Sequence, residues 1–227
     1  MSTNGCVGIC IDGETHLMHV HWDSNPAGLG RRLVRQIQAA NMDQWEEEAW
    51  NLSPTEHLCG PDFRLTEDEI RHITSWVAHN VNVQTSIDRD DDDMISVSHK
   101  EDQGLFESGD ELATVLEPTL RHDPAKFFDA IAGRLNAILE LGLFQRLSAR
   151  FLRTPLCEWI YLIDLDEGVF IVGGPDYDPT EWLNNRNINV WGESDEDKIV
   201  YREFAKFPLD EIPQDWEDQV ERASDED

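Results

Sequence analysis

The hydrophobic residues of this chain fall into short runs near both ends, and their alternation with turn-forming residues predicts strands. In the clearest case two apolar runs are joined through Asp12-Gly13, a pair that is typical of tight β-hairpins. A second pair of runs flanks a turn ending at Gly168, and its almost continuous apolar content is typical of strands buried on both faces. Strands are predicted at residues 6–11, 15–22, 158–164, 169–172, 187–191 and 198–204.

The middle of the chain has apolar residues at intervals of three and four, which is the spacing of an amphipathic helix. Thr66 is followed by three acidic residues, a pattern that is typical of a helix N-terminus. Asp123-Pro124 combines a capping residue with a favoured first residue, and the helix that starts there is predicted to be the core helix. Helices are predicted at about residues 27–40, 43–51, 66–79 and 124–150.

Strands at both ends with helices between them favour an α+β fold over a doubly wound sheet. We expect one antiparallel sheet built from the N- and C-terminal strands, with the helices in the middle packed on one face. Residues 1–208 are predicted to form a single domain, which includes a solvated acidic loop at about 86–104. Residues 209–227 are predicted to form an acidic tail, with a short helix around Trp216 and a frayed end.

The charge of the chain narrows the classes of partner. The 227 residues contain 18 Lys and Arg against 47 Asp and Glu, a formal net charge of −29, and only 4 of the basic residues are Lys. Nucleic acids and anionic membranes both require a basic patch, so neither is expected as a partner. Acid enrichment with scarce Lys favours a salt-adapted protein, because concentrated salt screens repulsion between carboxylates. The alternatives are a mesophilic protein with two acidic loops and a protein that imitates DNA phosphates.

The sequence also bears on the compartment. No apolar run approaches the 18 residues of a membrane-spanning helix, and the N-terminus has no basic region followed by an apolar stretch. A cytoplasmic location is therefore expected. The cysteines are scattered without a second pair at metal-binding spacing, and we interpret them as small buried hydrophobic residues in a reducing compartment. They are Cys6, Cys10, Cys59 and Cys157.

One candidate for chemistry is the histidine-rich strand before the first helix. Residues two apart on a strand point to the same face, so the side chains of His19, His21 and Asp23 are able to converge. Imidazole and carboxylate groups suit Zn²⁺ or another divalent transition metal. The pattern resembles the motif of metallo-β-lactamase-type hydrolases, which continues with His where this chain has Ser24. The alternative is that the histidines lie on the solvent face of a half-buried strand.

A second candidate is the glycine-containing turn that leads into the first helix. Gly28 and Gly30 lie just before Arg31 and Arg32, the notable basic cluster of the chain. A helix N-terminus leaves backbone N–H groups without partners inside the helix, and such groups attract anions. The spacing matches neither a Walker A motif nor a dinucleotide-binding fingerprint. The alternative is a tight structural turn whose arginines pair with nearby carboxylates.

Residues 22–30 read Trp-Asp-Ser-Asn-Pro-Ala-Gly-Leu-Gly. This stretch resembles a family of hypothetical proteins from phages, fungi and bacteria, in which it typically reads Trp-Asp-Gly-Tyr-Pro-x-Gly-x-Gly. Residues 159–166 are also similar to a late strand of those proteins. The resemblance implies an architecture, two strands followed by a turn and a helix, and it implies no reaction. Ser24-Asn25 stands where the family has Gly-Tyr.

Together these patterns favour a binding or accessory protein over an enzyme, with no cofactor and with a protein partner or a small anion as ligand. One alternative is a metal-dependent hydrolase that uses His19, His21 and Asp23 to hold a divalent metal such as zinc. Another is a small-anion binder at Gly28–Arg32. The geometry around Asp23 separates these hypotheses. Convergence of the three side chains with a fourth ligand or an open position for water indicates the enzyme, whereas a closed, hydrogen-bonded turn indicates the binding protein.

Overall fold

The structure is a computed structural model, and it describes residues 3–21, 23–56, 63–80, 85–89, 95–99, 109–131, 133–145, 157–175, 185–188 and 199–225. The strands within these ranges are β1 (Gly5–Ile11), β2 (Glu14–Val20), β3 (Ser53–Pro54), β4 (Thr85–Arg89), β5 (Ile95–His99), β6 (Leu143–Phe144), β7 (Trp159–Asp164), β8 (Val169–Pro175), β9 (Asn185–Ile188) and β10 (Ile199–Pro208). The α-helices are α1 (Arg31–Ala39), α2 (Met42–Trp50), α3 (Glu67–Asn80), α4 (Gly109–His122), α5 (Ala125–Ile131), α6 (Leu135–Leu141) and α7 (Trp216–Asp225), and a single π-helical turn, Pro26–Gly30, precedes α1. The predicted α+β class is confirmed.

The largest sheet has six strands in the order β2-β1-β7-β8-β10-β9. Its neighbours are antiparallel except for β1 and β7, which run parallel. The expectation of a purely antiparallel sheet was therefore wrong. A tight hairpin joins only antiparallel strands, whereas the long segment between β2 and β7 allows the chain to return and start β7 beside β1 in the same direction.

Both predicted hairpins are confirmed. Asp12 and Gly13 have φ angles of 52° and 73°, and this pair of left-handed residues is the signature of the two-residue turn that suits the twist of adjacent strands. The register that follows pairs Cys6 with His19 and Cys10 with Thr15. The β7–β8 hairpin ends its turn at Gly168, which also has a positive φ of 65°.

The main core combines buried side chains of the large sheet with buried side chains of the helices. Side chains alternate between the two faces of a strand, so Val7 and Ile9 of β1 point into this core together with Tyr161 of β7. The helices contribute buried residues at helical spacing, as Leu33 and Ile37 of α1 illustrate. None of the helices in the described part of the chain combines the length and the apolar content needed to cross a bilayer.

The other face of the sheet carries a second, smaller cluster. Its members are buried residues of neighbouring strands and of the segment just before β7, namely Cys6, Leu17, Cys157, Ile160, Leu162, Ile171 and Tyr201. The sulfur atoms of Cys6 and Cys157 lie 3.6 Å apart, and both side chains are fully buried as free thiols. Cys10 is only partly buried, and Cys59 lies outside the described residues.

The single long helix predicted at 124–150 was wrong, because this segment contains α5, α6 and the short strand β6. Gly142 ends α6 in the left-handed conformation, with a φ of 68°, and its N–H group bonds to the carbonyl groups of Ile138 and Leu139. The chain then enters β6, which pairs in parallel with β3. Apolar spacing continues across both breaks, so periodicity alone could not locate them.

Two further segments differ from the prediction. Part of the expected acidic loop at 86–104 forms an antiparallel hairpin of β4 and β5, while residues 90–94 and 100–104 lie outside the described part of the chain. Helix α4 follows this hairpin and was not predicted. In the register of this hairpin, Ile87 of β4 is paired with Val97 of β5.

The C-terminal tail is more ordered than predicted within its described part. Helix α7 extends over Trp216–Asp225, and Trp216 and Val220 are buried in the main core. Leu209 and Ile212 join the same cluster before the helix begins. In the described part of the tail most acidic residues are exposed and Glu217 pairs with Arg31, so the charge that suggested fraying does not conflict with a buried apolar side.

Candidate functional site

The segment that separates the functional hypotheses is a closed turn. Asp23 has a φ of 56°, an uncommon left-handed conformation for a residue other than glycine, and its carbonyl oxygen accepts a hydrogen bond of 2.8 Å from the N–H of Leu29. The side-chain oxygen of Asn25 accepts another from the N–H of Gly28 at 2.7 Å. The hydroxyl group of Tyr161 on β7 donates to the carbonyl oxygen of Ser24 at 2.8 Å, which ties the turn to the sheet.

The turn also depends on a close approach of two backbone segments. A Cβ atom added to Gly28 would lie 2.6 Å from Cγ of Asp23, and the carbonyl oxygen of Asp23 would be nearer still. Gly30 has a similar constraint, because a Cβ atom there would lie 2.6 Å from the indole ring of Trp216. Both glycines predicted to bind an anion therefore have a structural reason to be glycine.

The backbone donors expected to bind an anion are already used. The N–H of Gly28 is capped by Asn25, the N–H of Gly30 reaches the carbonyl oxygen of Asn25 at 3.3 Å, and the N–H of Arg31 bonds to carbonyl groups of the π-helical turn. An asparagine cap and a π-helical turn thus satisfy donors that a helix start ordinarily leaves open. The turn offers no such donors for an anion at these residues.

The two arginines of the predicted anion site have different environments. Arg31 forms a bidentate ion pair with Glu217 of α7, in which Nε and Oε1 are 2.6 Å apart. Arg32 lies 3.4 Å from the carboxylate of Asp23, and about half of each side chain is exposed. Burial, and then the nearby positive charge of Arg32, lower the pKa of Arg134. The Arg32 guanidinium lies beside Gly133, next to Arg134, and sequence reasoning missed this proximity because the residues are far apart in the chain.

The histidines of the predicted metal site lie side by side on β2 and just beyond it. The rings of His19 and His21 are edge-to-face, with centroids 4.1 Å apart, as expected for residues two apart on one strand. His19 is buried, and this burial lowers its pKa to about 4. His21 is exposed at the strand end, and partial burial also lowers its pKa. Both rings therefore favour the neutral form, which is the form that binds metals.

The predicted ligands nevertheless do not form a compact set. In the described part of the chain, the group of three whose ligand atoms lie within 4.8 Å of one another is Cys10, Asp164 and Asp166, and it does not include the histidines. His19 borders a cavity of about 10 Å³, which is the size of a single water molecule. The cavity is otherwise lined by Met18, Phe128, Ile131, Ile138, Phe144 and Gln145.

The Cys10 group lies at the opposite end of the β1–β2 hairpin, and sequence reasoning missed it. Asp166 accepts the N–H groups of Asp12 and Gly13 at 2.9 and 2.8 Å, and Asp164 accepts the N–H of Glu167 at 2.9 Å. Burial and the neighbouring carboxylates raise the pKa of Cys10 to about 11, so its thiol is protonated at neutral pH. Among the described residues, Cys10, Asp164 and Asp166 are the set whose ligand atoms are close enough to hold a cation. Both aspartates already have a structural role, because each accepts backbone N–H groups of a hairpin turn.

A last feature is the outer side of α2, the second predicted helix. Trp45 and Ala49 on its inner side are buried, whereas Trp50 is 63% exposed. Trp50 is the large hydrophobic side chain that the described residues leave exposed. The sequence predicted this helix without indicating which tryptophan faces solvent.

Comparison with protein-family models, curated proteins and solved structures gives no match to this chain. The resemblance of residues 22–30 to a family of hypothetical proteins stays a prediction.

Proposed function

We propose that this protein is a binding or accessory protein rather than an enzyme. The observation that supports this proposal is the closed turn at Asp23. Its backbone groups, its asparagine cap and its glycines are engaged with one another, as in a structural element. A catalytic turn would instead present free backbone donors towards an open site.

The metal-dependent hydrolase is the weaker alternative. A catalytic zinc site needs three protein ligands around one point and an open position for water and substrate. His19, His21 and Asp23 do not form such a group, and the cavity beside His19 has room for one water molecule and not for a substrate.

The small-anion binder is also weaker than the sequence suggested. Arg31 is engaged by Glu217, and the N–H groups of Gly28 and Gly30 are used inside the turn. What supports this alternative is the proximity of Arg32 and Arg134. An anion there would have to compete with Asp23, whose carboxylate already lies against Arg32.

The proposal includes three expectations about the whole protein. We propose that it is salt-adapted, because its charge of −29 is carried by acidic residues with few Lys. We propose a cytoplasmic location, which suits the free thiols of Cys6, Cys10 and Cys157. We also propose that the sheet is assembled from both ends of the chain with helices packed on one of its faces.

Metal analysis of the purified protein tests the choice between binding protein and hydrolase. We would measure metal content, without a His tag or chelators, in the wild type and in His19→Ala, His21→Ala and Asp23→Asn, with the exposed His122→Ala as control. We expect Asp23→Asn to fold normally, because its amide oxygen still accepts hydrogen bonds and asparagine tolerates the left-handed conformation. We also expect no variant to change the metal content. One equivalent of metal that all three variants lose and the control keeps would contradict the proposal.

A further inference from the structure

The outer side of α2 combines an exposed aromatic ring with carboxylates. Asp43, Glu46, Glu47 and Trp50 are all exposed, and their spacing of three, one and three residues places them on one side of the helix. We call this surface the α2 acidic face. The opposite side of the helix is anchored in the core by Trp45, which is 3% exposed and donates a hydrogen bond of 2.8 Å to Asn136. The surface is therefore held on a rigid, packed helix.

Trp50 is unusual on a surface of this composition. A tryptophan that is 63% exposed leaves a large apolar area in water, although the interior of the protein buries other large side chains well. Among the described residues, no ring contact or cation–π contact involves Trp50. Aromatic residues on such surfaces are the ones that most often dominate the energetics of protein–protein interfaces.

The carboxylates around Trp50 are not neutralised by the described cations. Among the described residues, the arginine and lysine ion pairs go to other acidic residues, and none reaches the α2 acidic face. Glu48 follows Glu47 on α2, and burial together with the charge of Glu48 raises the pKa of Glu140 on α6, so negative charge is also unrelieved beside this helix. A cationic ligand would relieve this repulsion between like charges.

We propose that the α2 acidic face docks an arginine-rich segment of a partner protein. A guanidinium group is planar, so it stacks on the indole ring of Trp50 and forms paired hydrogen bonds with a carboxylate such as Glu46 or Glu47. This inference rests on the proposed binding function, and it names the partner class for that function.

The chemistry of the face favours this partner over the alternatives. A second copy of the chain would bring another surface of a protein with a net charge of −29 against the carboxylates. Nucleic acids and anionic membranes would be repelled for the same reason. A lysine-rich segment satisfies the carboxylates, but its compact ammonium groups do not reproduce the planar stacking of arginine.

Peptide binding to charge-matched variants tests this inference. The probe is a fluorescently labelled peptide of alternating Arg and Gly, and its affinity is measured by fluorescence anisotropy at low and at moderate salt. Trp50→Ala keeps the net charge, so it isolates the indole ring. We expect this variant to weaken binding about 2- to 5-fold, the change that corresponds to a cation–π contact at an exposed site. A Lys-Gly peptide of equal length should bind more weakly to the wild type and should lose less affinity in Trp50→Ala.

The second comparison isolates position from charge. Glu46→Gln/Glu47→Gln and Asp210→Asn/Glu211→Gln remove equal charge from exposed residues in two different places. We expect the α2 pair to weaken binding clearly more than the control pair. Equal losses in the two double variants, or unchanged binding to Trp50→Ala, would overturn the inference and leave general electrostatic attraction.

Folding and function are controlled separately. Trp50 is exposed, so Trp50→Ala should keep the circular dichroism spectrum and urea midpoint of the wild type, and Trp50→Phe should give intermediate affinity. Failure of the peptide test refutes this surface alone, because the metal content of the His19, His21 and Asp23 variants decides between binding protein and hydrolase independently of α2.

Discussion

Replacing Gly28 by Ala should open the turn on which the functional interpretation depends. The added Cβ atom would lie 2.6 Å from Cγ and 2.7 Å from Oδ1 of Asp23, and it would also meet the carbonyl oxygen of that residue. Carbon atoms in contact are ordinarily about 3.5–4.0 Å apart, so the two segments must separate by about 1 Å. The backbone of Asp23 moves less easily than the end of a flexible side chain. We therefore expect the separation to lengthen the hydrogen bonds of the turn and to lower the free energy of unfolding.

The magnitude follows from the bonds that this separation strains. Leu29 donates to the carbonyl oxygen of Asp23 at 2.8 Å, and Gly28 donates to the side chain of Asn25 at 2.7 Å. Each hydrogen bond contributes about 0.5–1.5 kcal/mol, so losing both lowers the free energy of unfolding by about 1–3 kcal/mol. For a chain of this size, 1 kcal/mol corresponds to about 2–4 °C in Tm, which predicts a fall of about 4–8 °C for a loss near 2 kcal/mol.

Urea unfolding at fixed KCl, followed by tryptophan fluorescence, measures this loss. The control is Ala27→Gly, which changes the neighbouring exposed residue and costs about 0.5–1 kcal/mol through backbone entropy alone. A double variant, Gly28→Ala with Asp23→Gly, removes the carboxylate from the clash and suits the left-handed φ of position 23, so it should recover part of the loss. A Gly28→Ala protein within about 0.5 kcal/mol of wild type would refute the closed-turn reasoning.

Three further predictions concern salt, the C-terminal helix and pH. The urea midpoint should rise with KCl, because salt screens repulsion within a chain of net charge −29, and a flat or falling midpoint would contradict salt adaptation. Trp216→Ala should lower the free energy of unfolding by about 3–5 kcal/mol, because this ring is 4% exposed and packs edge-to-face on Phe170. Trp50→Ala, at an exposed position, should lower it by less than about 0.5 kcal/mol. Similar losses in the two variants would show that α7 is not part of the core. Burial lowers the pKa of His16 and of His19 from 6.5 to about 4. Between these pH values the unfolded chain binds protons at both residues that the folded protein does not. The free energy of unfolding should therefore fall as the pH drops from about 6.5 towards 4. His19→Gln should flatten that dependence in pH-dependent urea titrations, and an equally steep slope would count against the buried neutral ring.

The sequence by itself determined the features that depend on neighbouring residues. Asp12-Gly13 specified the first hairpin, because only residues that tolerate positive φ form that turn, and the structure has both in the left-handed region. Thr66 specified the start of α3, where its hydroxyl caps the N–H of Glu69 at 3.2 Å and the carboxylate of Glu69 returns a bond of 2.7 Å to the N–H of Thr66. Such contacts span three residues or fewer, so their partners are visible in the sequence.

The candidate site shows where this reasoning stopped. The sequence correctly placed His19 and His21 side by side, because strand geometry is local. It could not show that Arg31 pairs with Glu217, which is 186 residues away, or that Cys10 lies beside Asp166. Whether the Arg31 side chain is open to an anion depends on such a distant partner, whereas the N–H groups of Gly28 and Gly30 are engaged within the turn itself.

Only the tertiary structure decided the pairing of distant segments. The parallel alignment of β1 with β7, the contact of Cys6 with Cys157 and the burial of α7 each join residues far apart in the chain. Apolar periodicity states that a residue is buried but not against what, because the hydrophobic effect has no preferred direction. The exposed Trp50 and the buried Trp45 lie on one helix, and the packing of that helix on the core decided which of them faces solvent.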